Sequence, residues 1–171
     1  MPDRRQLHFD SLDDVRCESE RLLQFGYERA GRWSLGTMGD HLGRALLYSC
    51  EGFPTNWPRS IQWILRNFAL NSILARETWR FRMPAPISVN WQATDQEGVD
   101  CLLKGIERFQ QHSCPMSPHI LLGKMSREQW IQFHLWHCEH HFSFLLPAAE
   151  PKRCSAPREK EAKSAEERHV L

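Results

Sequence analysis

The feature that most constrains this chain is a set of helix starts written into its sequence. Ser11-Leu12-Asp13-Asp14 places a capping serine three residues before an acid, and Thr94-Asp95-Gln96-Glu97 and Ser126-Arg127-Glu128-Gln129 are full capping boxes. In such a box the first and fourth side chains each satisfy a backbone N–H that the first helical turn leaves without a partner. Each start opens onto apolar residues at helical spacing: Leu12, Val15, Leu22 and Leu23 in the first segment, then Val99, Leu102, Leu103, Ile106 and Phe109 in the second. The third segment runs from Arg127 to about Leu146 and stops at Pro147.

Two more helices fit between these. Ser34 caps one from Leu35 to about Cys50, ended by Gly52 and Pro54. Pro58 suits the first turn of another, which carries Ile61, Ile64, Leu65, Phe68 and Ile73. Residues 80–93, with Pro84 and Pro86, read as an extended connection. No convincing strand pair and no phosphate-binding glycine loop is evident. The expected fold class is therefore all-α, with five helices around one core. Residues 1–147 form the expected folded domain. Residues 148–171 carry no aromatic side chain and only Val170 and Leu171 as large aliphatics, so a disordered charged tail is expected there.

Composition narrows the function classes. With 22 basic against 21 acidic residues, the chain has no excess of charge to attract nucleic acid or an anionic membrane surface. No stretch reaches the ~20 apolar residues of a membrane span, and the N-terminus lacks the apolar core of a secretory signal. Six cysteines without a C-x-x-C pair read as free thiols in a cytoplasmic setting.

The chemistry is concentrated in Trp130-Ile-Gln-Phe-His134-Leu-Trp-His137-Cys-Glu-His140-His141. At ~100° per residue, His137 and His141 lie about 40° apart, one turn above the other, as two imidazoles must to share a metal ion from one helix. Trp130, Phe133 and Phe144 share that face, which points the pair inward. His134 and His140 sit about 60° to either side. A third ligand has to come from a neighbouring helix, and His41, set among Leu42, Ala45 and Leu46, is the histidine clearly inside one. Three imidazoles would leave an ion its full charge and an open position. Glu139 follows His137 by two places, unlike the metalloprotease H-E-x-x-H, and Cys138 reads as a packing residue.

Trp33-Ser34, His41-Leu42 and the His137-Cys-Glu-His140-His141 run resemble the DinB-like superfamily of metal-dependent enzymes. The closer likeness, from Arg4 to Pro147, is to an uncharacterised branch of it, a domain of unknown function. It is carried by RRQLHFDSLDDV, GYERAGRWSLGTMGDHL and GKMSREQWIQFHLWHCEHHFSFLLP. The resemblance implies a four-helix bundle with an additional helix, about residues 58–76, in the long crossover. It implies metal ligation by His41, His137 and His141, with zinc or nickel the foremost candidates. It further implies thiol-dependent transfer, with a low-molecular-weight thiol as cofactor, or hydrolysis.

Two function classes follow. In the first, a metal-dependent enzyme acts on a small electrophile between the second and fifth helices, with His134, His140 and Arg44 around the ligands. In the second, a non-catalytic helical module carries a structural histidine cluster and self-associates, as a homodimer for instance. His119 is expected on a surface loop, and Trp57, Trp63, Trp79 and Trp91 either line an apolar cavity or cap the core. Because imidazole titrates near ~6.5, metal binding is expected to weaken below about pH 6.

Overall fold

The computed structural model describes residues 4–54, 57–74 and 87–148. The expected tail beyond Ala148, Trp79 and most of the extended connection lie outside them. Five helices appear, at the places their start signals mark: α1 (Leu12–Phe25), α2 (Leu35–Glu51), α3 (Arg59–Leu74), α4 (Asp95–Gln111) and α5 (Arg127–Phe142). Ser11 with Asp14, Thr94 with Glu97 and Ser126 with Gln129 each close a reciprocal capping box. Ser34 caps α2 by accepting from the Thr37 N–H.

The backbone of α2 lies directly on that of α4. A β-carbon at Gly36 would collide with Ala93 and Thr94, one at Gly39 with Gly98, and one at Gly43 with Cys101. The matched positions rise together in number, so the two helices run in the same direction. Their N-termini are also tied by side chains. The Asp95 carboxylate accepts from the Gly36 N–H at 2.8 Å and from the Tyr27 hydroxyl at 2.9 Å, and that hydroxyl accepts from the Leu35 N–H at 2.8 Å. At the far end of α4, the Arg127 guanidinium donates to the carbonyls of Phe109 (2.9 Å) and His112 (2.8 Å), a cation placed on the negative helix terminus.

Around this pair, α1 packs on α2, α4 and α5, while α5 packs on α2 and α3. Trp130, Leu135, Cys138 and Phe142 of α5 are all essentially buried, so the bundle surrounds that helix on several sides. The apolar stripe expected on α3 is less buried than its spacing suggests. Leu65 packs against the core and Leu70 is buried, but Ile61 and Ile64 are exposed, and the side chains of Phe68 and Ile73 lie outside the described residues.

Two expectations are corrected. A strand pair exists: β1 (Tyr27–Arg29) and β2 (Leu145–Pro147) run antiparallel, with Glu28 opposite Leu146. Accordingly α5 ends at Phe142, four residues before the expected Leu146. Pro147 has no N–H to give the Ser143 carbonyl, which accepts instead from the Arg5 N–H (3.2 Å), and the Phe144 carbonyl accepts from the Ala30 N–H (2.8 Å). Among the described residues, no helix is long and apolar enough to cross a membrane.

Candidate metal centre

His137 and His141 stand one turn apart on α5, and α2 packed against it brings His41 across to meet them. The Nε2 atoms of His41 and His137 are 3.3 Å apart, those of His137 and His141 3.1 Å, and all three ligand nitrogens lie within 4.8 Å of one another. A tetrahedral ion with bonds of ~2.0–2.1 Å needs ligand atoms about 3.3–3.4 Å apart. Two of the three spacings already match those of a divalent ion of zinc-like size, and the third, within 4.8 Å, would close around it. Its composition is three imidazoles, without a carboxylate or thiol.

Neighbouring acids are occupied. The Asp40 carboxylate, beside His41 in sequence, pairs with Arg44 at 3.0 Å, and Glu139 accepts from the Phe9 N–H at 2.8 Å. His41 and His137 each present Nε2 to the cluster, and their Nδ1 atoms are buried with no hydrogen-bond partner among the described residues.

Burial sets the protonation state. It pushes His41 down to about 4, and holds His137 and His141 well below the ordinary imidazole value, with repulsion among the clustered rings as a lesser cause. All three are neutral at pH 7, the form in which a nitrogen lone pair is free for a metal.

Aromatic rings wall the cluster. Trp33 stacks on His141 with centroids 4.9 Å apart and planes at 14°, and meets His41 edge-on at 5.2 Å. Phe133 and Trp136 flank His137. Trp33 had no assigned role in the sequence, although it directly precedes the N-cap of the helix that carries His41.

The other histidines contribute no nitrogen to the three-histidine cluster. His134 is buried, stacked on Trp130, and joined to the Ser49 hydroxyl at 3.2 Å. His140 packs on Trp136 and Phe144. His119 is not on the surface as expected but buried, packed on Phe53, Trp130 and Phe133, where its Nδ1 accepts from the N–H groups of Leu121 and Leu122. Of the described tryptophans in the crossover, Trp63 is 67% exposed, Trp91 60% and Trp57 38%, so they do not cap the core.

Fold and site together define a mostly helical protein in which three imidazoles from two helices meet at one point. The chain belongs to the family described as a protein of unknown function, DUF1569, whose model matches residues 1–148. No curated protein and no solved structure matches it.

Proposed function

We propose that this protein is a metal-dependent enzyme of the DinB-like type. In this reading His41, His137 and His141 hold one divalent ion, zinc or nickel, and the reaction joins a small electrophile to water or a low-molecular-weight thiol. The observation that carries it is the convergence of the three Nε2 atoms at spacings of 3.1 and 3.3 Å. The placement of one ligand on α2 and two on α5 is also that implied by the DinB-like resemblance. A divalent ion there supplies Lewis acidity at a position that the three imidazoles leave open.

The chain's own residues prepare the rest. Burial keeps the ligands neutral without a carboxylate to discharge the ion, which suits the binding of an anionic reactant. Trp33 fixes the plane of His141 by stacking on it. His140, with its ring 5.2 Å from that of His141, is also kept below the ordinary imidazole value by burial, and is the further imidazole available to accept a proton. His134 is committed to Ser49 and serves the core instead. Five described cysteines are all free, in keeping with a cytoplasmic protein.

The test is elemental analysis and equilibrium titration with zinc and nickel, on protein purified without a histidine tag. About one ion per chain, lost in the His137→Ala variant, is expected. A folded protein that takes up neither metal overturns the reading.

The second reading, a self-associating module, is favoured by the exposure of Trp63 (67%) and Ile64 (49%) on α3. Sedimentation of the wild type and of Trp63→Ser separates the two readings. A dimer lost in the variant, with no metal bound by either, supports the module.

A further inference from the structure

The histidine cluster has an aromatic lip that ligand binding alone does not require. Trp33 touches two of the three imidazole rings, and Trp91 stands edge-on to Trp33 with centroids 5.9 Å apart and planes at 84°. Trp33 is partly buried against the core, whereas Trp91 leaves 60% of its surface in water. A large indole so exposed, one ring away from a metal centre, is apolar surface available for a ligand to cover.

The backbone that carries both rings is anchored. Trp33 immediately precedes Ser34, the N-cap of α2. Behind it, the Ala30 N–H donates to the Phe144 carbonyl at 2.8 Å. Trp91 sits in a turn closed by the Gln92 N–H on the Asn90 side chain at 3.1 Å, three residues before the Thr94 cap of α4. The two helix starts are joined through Asp95, Gly36, Leu35 and Tyr27. A lip anchored in this way loses little freedom when a ligand settles on it, so contact area converts efficiently into affinity.

The geometry points to Trp91, backed by Trp33, as the binding surface for the aromatic body of a small ligand whose anionic head meets the metal centre. This rests on the metal reading above. The head is anionic because three neutral imidazoles leave a dication uncompensated. The body is aryl because indole edges and faces pair with flat apolar rings, and a cationic body, which the same rings would accept elsewhere, is repelled by the adjacent dication.

The experiment uses Co(II)-loaded full chain, whose visible bands report the coordination sphere, titrated with benzohydroxamate and with acetohydroxamate. These share a head group and differ in an aryl against a methyl body. Wild type is expected to prefer the aryl ligand by a margin that falls roughly tenfold in Trp91→Ala, with acetohydroxamate affinity unchanged. Trp91→Phe is expected to retain most of the preference. An aryl preference of equal size in wild type and Trp91→Ala overturns the proposal, as does equal loss of both ligands. Failure of the metal reading is distinguishable, because Co(II) bands would then be missing before any hydroxamate is added, and the proposal would fall with it.

Discussion

Gly39 of α2 faces Gly98 of α4 so closely that a β-carbon on Gly39 would lie 2.5 Å from the Gly98 carbonyl carbon. Alanine favours helix over glycine by roughly 1 kcal/mol at an unconstrained position. Here the sign reverses, since the obstruction is backbone that cannot rotate aside. Gly39→Ala and Gly98→Ala are each expected to destabilise the fold by about 1–3 kcal/mol, the usual cost of overpacking. Urea unfolding of the two variants checks this. Stability equal to wild type or higher would show that the helices do not meet at these glycines.

The metal reading makes a sharper distinction among neighbours. His141→Ala removes one of three converging nitrogens, and His137→Ala removes the one that is close to both others. His140, one position from His141, packs on Trp136 and Phe144. Stoichiometric zinc binding is expected to disappear in the first two variants and to persist in His140→Ala. Isothermal titration of folded protein reads this directly, and equal losses at positions 140 and 141 would contradict the ligand set.

Ser49 and His134 test what the rest of the histidine-rich helix does. The Ser49 hydroxyl donates to the Leu46 carbonyl at 2.6 Å, so toward His134, 3.2 Å away, it acts as the acceptor of an Nε2–H. Ser49→Ala leaves that N–H buried without its partner, at an expected cost of about 1–3 kcal/mol. Thermal melts should show the loss while zinc affinity changes little. A variant that loses zinc binding but not stability would place His134 in the metal site.

These contrasts show where the sequence was informative. Capping is local, so Ser11, Ser34, Thr94 and Ser126 mark the starts of their helices from within four residues. The pairing of His137 with His141 is equally local, following from one helical turn. His41 stood out by its apolar setting inside a helix, and the resemblance pointed to the same residue. What depended on distant partners was hidden. The glycines of α2 have meaning only against those of α4, and the pairing of Tyr27 with Pro147 joins segments with no turn between them. The exact end of α5 at Phe142 goes with Arg5 and Ala30 taking the Ser143 and Phe144 carbonyls, where Pro147 alone marked the stop four residues later. His119 looked like a loop residue beside Pro118 and Gly123, yet its ring organises that loop from inside by accepting two backbone N–H groups.

Acid should act on this protein through its buried imidazoles. Burial lowers His41 and His119 to about 4 and His134 to about 3, against ~6.5 for imidazole in an unfolded chain. As pH falls through ~6.5 the unfolded chain takes up protons that the native protein refuses, so stability is full above that value and is lost on the way down toward pH 4. Each such group adds up to ~1.4 kcal/mol per pH unit within the window. Denaturant midpoints measured from pH 7.5 to 4.5 should therefore fall steeply below 6.5, and a level profile would mean that these rings titrate normally. The same burial changes the expectation drawn from free imidazole, that metal binding weakens below about pH 6. With His41 near 4 and its two partners held well below the ordinary value, protons do not compete for the native site until the pH is much lower. Zinc affinity of the folded protein is expected to stay nearly level between pH 7 and 5, with the imidazoles releasing almost no protons on binding. Competition titrations across that range, paired with calorimetry in buffers of different ionisation enthalpy, measure both quantities. A tenfold loss of affinity per pH unit, accompanied by release of one proton, would show that one of the three imidazoles is charged before the metal arrives, and steeper losses that more of them are.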